Sequence, residues 1–207
     1  MIEPFLRRIA LMSPPSSRSR IRRSDRADYE LDTICAILDA GYVAHLGFID
    51  SDAGHPVVIP IVYARVGNAL VFHAGRASRL AANARMSKIC ATVTLIDGLV
   101  LAKSAFHHSM NYRSVVAFGR PREVEDPGEK SAALQAFIDK LLPGRWQHVR
   151  APSPKEFAAT AIFALPLDEA SAKLRAGPPL DDAEDLDLPV EAGVIPLMTT
   201  RGIFIPS

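Results

Sequence analysis

Hydrophobic and polar residues alternate in short runs along this chain, and clusters of turn-forming residues separate the runs. Apolar residues recur at helical spacing from Leu31 to Leu38 and are followed by Gly41, which predicts a helix that ends there. The next run, Val43 to Ile49, has the alternation of a strand, and the polar cluster at 50–54 predicts a loop. The regular part of the chain is therefore expected to begin with a helix and a strand.

The stretch at 57–80, VVIPIVYARVGNALVFHAGRASRL, predicts two strands joined by a tight turn at Gly67-Asn68 and a helix that begins near Ser78. Pro60 is unusual in the first of these strands because proline has no N–H to donate to a neighbouring strand. Pro60 thus interrupts the hydrogen bonding of its strand, and Ser78 and Arg79 at the start of the following helix have the chemistry to bind an anion. Together these features suggest a planar ligand with a phosphate tail.

The second half of the chain contains more strand signals and one strong helix signal. Asp97-Gly98 predicts a hairpin turn between strands at 89–96 and 99–103. Asp126 followed by Pro127 predicts the start of a helix that ends at Pro143-Gly144. The remaining predictions are a long strand at 112–124, a helical turn at 153–156, a strand at 160–165 and an irregular, Pro-rich, acidic C-terminal segment.

Six or seven strands, mostly in hairpins, predict a mainly β fold with peripheral helices, and an antiparallel barrel is favoured over a doubly wound sheet. The sequence predicts three parts: a disordered basic arm at 1–24, one barrel domain at 25–175 and a Pro-rich, acidic extension at 176–207 packed on the surface.

The composition excludes several classes of protein. The chain has 207 residues, 48% of them hydrophobic, and a net charge of +1, which gives no general argument for binding nucleic acid or an anionic membrane. No apolar run is long enough to cross a bilayer, so a cytoplasmic protein is expected. Cys35 and Cys90 lie in apolar runs without CxxC spacing, and free thiols are preferred to a disulfide.

Motifs of several enzyme classes are absent: the chain has no GxGxxG, GxxxxGK[ST], HExxH or GxSxG sequence. His107 and His108 are adjacent, and neighbours on a strand do not converge on one ion, so no metal site is expected there. The six arginines of residues 1–23 have no interleaved aromatic residues, so a solvated tail is preferred to a nucleic-acid contact.

Two groups of residues have the chemistry to bind an anion. His73, Ser78 and Arg79 would place a guanidinium and a hydroxyl at the start of a helix, which suits a phosphate, although Ser78 also suits a simple helix cap. The second group is Asn111, Tyr112, Arg113 and Ser114, polar residues at the start of an apolar strand, which are equally a loop entering a strand.

Several segments together resemble the pyridoxamine 5′-phosphate oxidase-like, FMN-binding split-barrel family. The segment 70–95, LVFHAGRASRLAANARMSKICATVTL, resembles its hairpin, helix and strand, and SAFHHSMNYRSV at 104–115 resembles its flavin-nucleotide-binding branch, which is related to the nitroimidazole-resistance reductases. The resemblance extends from Arg22 to Pro196. It implies a homodimer of six-stranded antiparallel split barrels of Greek-key type, with FMN in two clefts at the interface.

The resemblance also implies roles for individual residues. The isoalloxazine ring would lie along Ile59, Pro60, Ile61, Val62 and Tyr63. Ser78 and Arg79 would hold the phosphate with His73 nearby, and Arg113 and Ser114, beside Asn111 and Tyr112, would reach the flavin from the other subunit. For His73, a hydrogen bond on the phosphate side is preferred to proton delivery to a flavin-bound substrate.

The chain departs from the oxidase at Leu80 and Tyr63, where the oxidase has lysines, and it lacks a counterpart of the oxidase's C-terminal substrate-binding segment. A genuine pyridoxamine 5′-phosphate oxidase is therefore not expected. The leading hypothesis is an FMN-dependent oxidoreductase that takes electrons from a small-molecule donor and passes them to a small acceptor. The alternatives are a flavin-binding sensor or carrier without turnover, and a haem-binding split-barrel protein that uses the same cleft.

Overall fold

The computed structural model describes residues 16–206 of the chain. The helices are α1 (Leu31–Ala40), α2 (Arg79–Met86), α3 (Pro127–Leu141) and α4 (Pro154–Ala159). The strands are β1 (Ala27–Asp28), β2 (Val43–Ile49), β3 (Pro56–Val66), β4 (Ala69–Gly75), β5 (Ile89–Leu101), β6 (Ser109–Gly119), β7 (Arg122–Glu123), β8 (Thr160–Pro166), β9 (Ala170–Arg175) and β10 (Gly193–Pro196).

The strands form one antiparallel sheet in the order β1-β9-β6-β5-β2-β3-β4-β8-β7, and β10 pairs with β5. The expected mainly β, antiparallel fold with peripheral helices is confirmed, with more strands than the six expected. Strand β3 changes partner along its length, because it pairs with β2 over residues 56–62 and with β4 over residues 63–66. The sheet therefore splits into two halves at Val62 and Tyr63.

Local signals placed the turn between β3 and β4 and the starts of α3 and α4 correctly. Gly67 has φ of 55°, the left-handed conformation that the turn between β3 and β4 needs. Asp126 caps α3 by accepting a hydrogen bond of 2.8 Å from the N–H of Glu129, with Pro127 at the first helical position. Ser153 and Glu156 form a reciprocal capping box at α4.

The hairpin predicted at Asp97-Gly98 is wrong. Strand β5 runs without a turn from Ile89 to Leu101, and the extra residue forms a bulge between Ile96 and Gly98. Strand β6 pairs along nearly all of β5, and β10 pairs with residues 98–101 from its other edge. Hydrogen bonds on both sides therefore hold this segment extended, although its local sequence is typical of a turn.

Two further differences concern the strand boundaries. Strand β9, with the sequence ASAKLR, was not predicted, and it forms by pairing with β6 and β1. The long strand predicted at 112–124 is divided into β6 and β7, because Pro121 lies between them and has no N–H to donate.

The hydrophobic residues form two clusters on opposite faces of the sheet. The main core lies inside the curved sheet and includes Tyr63, Phe72 and Phe163, with α1 and α2 packed against it. The smaller core lies on the other face, where Phe137 of α3 packs against Val71. Helix α3 therefore covers the outer face of β4 and of the second half of β3.

The first half of β3 has no such cover. Val58 and Val62 are 65% and 42% exposed, and Val43 on the neighbouring strand β2 is 44% exposed. These residues lie on the outer face of the sheet, beyond the edge of α3, so the structure leaves an apolar sheet face open.

The segments outside the main sheet make defined contacts where the structure describes them. Arg18 pairs with Glu169 at 2.8 Å, and the N–H of Ile21 donates to Tyr29, whereas residues 1–15 of the predicted basic arm lie outside the described residues. In the C-terminal extension, β10 pairs with β5. Cys35 and Cys90 are free thiols. None of the described helices is long and apolar enough to span a membrane.

Candidate functional site

The open face of β3 carries alternate residues of the predicted ligand strand. The side chains of Pro60 and Val62 point outwards with Val58, whereas Ile59 and Ile61 are half-buried and pack against the main core. The predicted set at 59–63 therefore presents a mixed surface, with two side chains on the open face and the others turned inwards.

His45 is a residue on this face that sequence reasoning missed. It lies opposite Pro60 of β3 on one side and opposite Thr92 of β5 on the other. His45 is exposed, and it is flanked along β2 by the outward-facing Val43. The alternation of β2 was visible in the sequence, but only the pairing register places His45 beside Pro60.

Tyr63 does not lie on the open face, which corrects the expectation that its side chain would line the ligand. Its side chain is fully buried, and its hydroxyl donates a hydrogen bond of 2.6 Å to the carbonyl oxygen of Leu38. Lys140 donates to the same carbonyl at 2.8 Å and lies 3.9 Å above the tyrosine ring. Burial raises the pKa of Tyr63 and lowers the pKa of Lys140 to about 8.

Arg79 and Ser78 lie together at the start of α2, at the end of the open face where β3 begins. The Ser78 hydroxyl caps the helix by accepting a hydrogen bond of 3.2 Å from the N–H of Ala81. Arg79 approaches the buried carboxylate of Asp50 through Nε at 3.4 Å, and its side chain is 59% exposed. The pKa of Asp50 is lowered chiefly by the N–H groups of Ala53 and Asp52, and also by the charge of Arg79.

His73 is separated from Ser78 and Arg79, although the sequence grouped them. Along β4, Phe72 and Ala74 face the main core, which α2 joins through Ala81. His73 is on the alternate face and packs edge to face on Phe137 of α3, with the ring centroids 5.2 Å apart. The expected position of His73 beside the phosphate residues is therefore not found.

His73 instead lines a cavity of about 350 Å³ between the sheet, α3 and the segment that leads to α4. Most of the lining is apolar, from Leu134, Phe137, Ile138, Trp146, Val149, Pro152 and Phe157. The two charged lining residues, Arg150 and Glu156, neutralise each other through two hydrogen bonds of 2.9 Å. The cavity thus combines an imidazole with apolar walls and little net charge.

The group at 111–114 is held by contacts within the chain. The guanidinium of Arg113 pairs with Asp97 at 2.7 and 2.8 Å, and the hydrogen bond to Arg113 lowers the pKa of the Asp97 carboxyl. The Asn111 side chain donates to the Gly177 carbonyl and accepts from Arg175.

The four residues of this group alternate in direction along β6. The side chains of Asn111 and Arg113 point towards the same side as the buried Val115, whereas Tyr112 and Ser114 point to the outer face. Ser114 donates a hydrogen bond of 3.3 Å to the carbonyl of Lys173. Only two members of the predicted group therefore face outwards.

A third group of polar side chains lies away from both regions. The ligating atoms of His107, Asp182 and Asp185 lie within 4.8 Å of one another. The His107–Asp182 pair is already joined at 3.1 Å and fastens the C-terminal extension to the 3-10 turn Ala105–His107. This hydrogen bond joins two of the three side chains of the cluster.

The antiparallel sheet that divides at β3, with an open apolar strand and a helix N-terminus at one end of it, defines a split-barrel protein. The family model described as pyridoxamine 5′-phosphate oxidase matches residues 30–174. The chain therefore belongs to this family, as its sequence motifs indicated.

Solved structures agree with this assignment. The flavocytochrome Anf3 from Azotobacter vinelandii is 40% identical, with a TM-score of 0.88 over 94% of this chain and 91% of that chain. A protein from Mycobacterium smegmatis described as FAD and haem binding is 34% identical, with a TM-score of 0.82 over 88% of this chain and 89% of that chain.

A more distant structure shares the fold. A protein from Bacteroides thetaiotaomicron that is described as a 5-nitroimidazole antibiotic resistance protein is 21% identical, with a TM-score of 0.59 over 71% of this chain and 85% of that chain. No protein with curated annotation matches significantly.

Proposed function

We propose that this protein binds a flavin nucleotide through the part that FMN and FAD share and acts as an oxidoreductase on a small molecule. The observation that carries this proposal is the open apolar face of β3, which leads to the exposed guanidinium of Arg79. Two relatives at 40% and 34% identity are described as a flavocytochrome and as an FAD- and haem-binding protein, which supports the same cofactor class.

The open face fits an isoalloxazine ring because a planar aromatic system needs apolar surface with a few polar groups at its edge. Val58, Pro60 and Val62 supply the apolar surface, and His45 supplies a polar group beside Pro60. A cavity of about 340 Å³ is lined in part by Gly47, Ile49 and Val58 of this region.

The phosphate would bind at Arg79. Ile49, the last residue of β2, pairs with Pro56, and the following residue, Asp50, contacts Arg79, so the guanidinium lies at the starting end of β3. The shortest contact between Arg79 and Asp50 runs from Nε at 3.4 Å, and the Arg79 side chain donates no hydrogen bond within residues 16–206, so its outer N–H groups are available for two hydrogen bonds to a phosphate. The Ser78 hydroxyl accepts from the helix but still has its proton to donate.

When bound, the flavin would supply the redox chemistry, and the protein would supply binding and orientation. A nicotinamide nucleotide or another small donor would reduce the protein, and a small oxidised acceptor would reoxidise it. The sheet face would shield one side of the ring from water. No side chain need act as a nucleophile in this scheme.

A second copy of the chain is the proposed cover of the open face. The exposed valines on β2 and β3 form an apolar surface of the kind that marks a protein contact. In a homodimer, Tyr112 and Ser114 of the outer face would approach the flavin of the partner. Arg113 would first have to leave Asp97 to do the same.

The purified protein tests the flavin proposal directly. We expect a flavin absorbance spectrum that bleaches with a nicotinamide donor without oxygen and recovers in air. Chromatography of the heat-released cofactor distinguishes FMN from FAD. Arg79→Ala should lose the flavin, whereas Lys155→Ala, which removes a cation at the start of α4, should keep it. Retention of flavin by Arg79→Ala contradicts the phosphate assignment, and tight flavin that no donor reduces favours a carrier or sensor.

Haem binding is a second candidate function, and the His73 cavity is the observation that favours it. An imidazole among apolar walls is the arrangement that binds haem iron and a porphyrin ring. The site is distinct from the open face of β3, because α3 covers one and leaves the other uncovered. The hypothesis of one cleft shared by flavin and haem is therefore replaced by a proposal of two sites.

Titration with haem tests the second function. We expect a Soret band that saturates at one haem per chain and does not displace the flavin. His73→Ala should change this band and weaken binding, whereas His55→Ala, in an exposed loop, should not. Mutual displacement of haem and flavin would support a shared cleft instead.

A further inference from the structure

The His73 cavity continues into a second cavity of about 520 Å³. Ile138 of α3 and Val149 line both cavities, so they form one groove along the C-terminal half of α3. The far wall of the groove is the C-terminal segment Arg201, Gly202, Ile203 and Phe204. This segment lies beyond residues 30–174, which match the family model.

The two ends of the groove differ in charge. At the His73 end, the charge of Arg150 is neutralised by Glu156. At the other end, Arg145 and Arg201 line the groove, and neither has a carboxylate partner within ion-pair distance among residues 16–206. Arg201 donates instead to neutral oxygens, the Tyr42 hydroxyl at 2.7 and 2.9 Å and the Lys140 carbonyl at 3.3 Å.

The apolar residues of the C-terminal segment are also left open. Ile203 and Phe204 are 94% and 78% exposed, although the groove beside them is lined by Ile138, Leu141 and Leu142. A ligand in the groove would cover apolar surface on both walls, which is favourable because apolar area is removed from water.

We propose that the C-terminal segment is part of the porphyrin site and that Arg201, with Arg145, binds the carboxylates of the ligand. This inference rests on the proposed haem function and adds residues to the same site. The groove presents an imidazole at one end, apolar walls along its length and two guanidinium groups at the other. A planar apolar molecule with two carboxylates matches this order, because guanidinium binds carboxylate through paired charge-assisted hydrogen bonds.

The test compares three ligands on the full-length protein: haem, metal-free protoporphyrin IX and the dimethyl ester of protoporphyrin IX. Arg201→Ala should weaken haem and protoporphyrin IX about tenfold, since one charge-assisted contact is lost. It should leave the dimethyl ester unchanged, because the ester has no carboxylate. Arg201→Lys should recover part of the affinity, and Arg22→Ala, at an exposed arginine outside the groove, is the matched control.

His73→Ala separates the two assignments. It should weaken haem, which has an iron to bind, and leave protoporphyrin IX unchanged. If His73→Ala loses haem while Arg201→Ala binds all three ligands like the wild type, haem binding stands and the role of the C-terminal segment is wrong. If the wild type binds neither haem nor protoporphyrin IX, both assignments are overturned.

Discussion

Arg113 and Asp97 form a two-point ion pair across neighbouring strands, with Nη2 to Oδ1 at 2.7 Å and Nε to Oδ2 at 2.8 Å. Asp97 projects from the bulge of β5. Arg113 is on β6, where it lies opposite Leu95 of β5. The pair therefore fastens the bulge to β6 and occupies the guanidinium that the family resemblance assigned to a flavin.

We predict that Asp97→Asn lowers the free energy of unfolding at pH 7 by about 0.5–1 kcal/mol, the range of a partly exposed ion pair. The pKa of Asp97 is lowered in the folded state from its usual 3.8. The ionised Asp97 carboxylate therefore makes its full contribution to the free energy of unfolding above pH 3.8, and this contribution disappears as the pH falls through the lowered pKa. Urea unfolding at several pH values measures this, and an equal loss at pH 7 and in strong acid would contradict it.

Lys140 gives a pH dependence of the same sign, but in the alkaline range. Its pKa is lowered from 10.5 to about 8, so between these values the unfolded chain holds a proton that the folded chain has released. The free energy of unfolding should therefore rise with pH through this window. Across this window, the free energy of unfolding of the wild type should rise by about 1 kcal/mol relative to that of Lys140→Met. This is less than the full pKa shift implies, because Lys140 is only partly buried.

Unfolding curves between pH 7 and 10 test this prediction. The exposed Lys155→Met is the control, and its difference from the wild type should stay flat over the same range. If the difference in free energy of unfolding between the wild type and Lys140→Met does not change with pH, Lys140 keeps its proton in the folded state.

The stacked rings of Phe72 and Phe163, 5.3 Å apart, join β4 to β8 inside the main core. Phe72→Ala should lower the free energy of unfolding by about 3–5 kcal/mol, because both rings are fully buried and the cavity cannot collapse completely. Val190→Ala, at an exposed position of the C-terminal extension, should change it by less than about 0.5 kcal/mol. Chemical denaturation of the two variants provides the comparison.

The open face of β3 gives a prediction about assembly. Val62→Glu should convert the proposed homodimer to a monomer and release the flavin, because it buries a charge in the apolar contact. Val190→Glu places the same charge on another exposed valine and should remain dimeric. Light scattering with flavin absorbance measures both, and a dimeric, yellow Val62→Glu variant would show that the contact lies elsewhere.

Elements with strong local signals were predictable from the sequence. Helix α3 was recognised from Asp126 and Pro127, whose capping geometry depends only on adjacent residues. The β3–β4 hairpin was recognised because Gly67-Asn68 supplies the backbone conformation of a tight turn. The sequence also identified the family, through motifs that extend over most of the barrel.

Elements that depend on distant partners were not predictable. Strand β9 has no β-branched residue and is extended because β6 and β1 pair with it. Asp97-Gly98 has the local preference of a turn, but hydrogen bonds from β6 and β10 outweigh that preference.

By itself, the sequence determined the split-barrel family, the strand that carries Pro60, and the cap at Ser78 followed by Arg79. Only the tertiary structure decided which of these residues share a surface. His73 is five residues from Ser78, yet alternation along β4 turns it to the face that α3 covers, beside Phe137. Side-chain direction in a strand depends on the face and on what packs against it, and long-range pairing sets both.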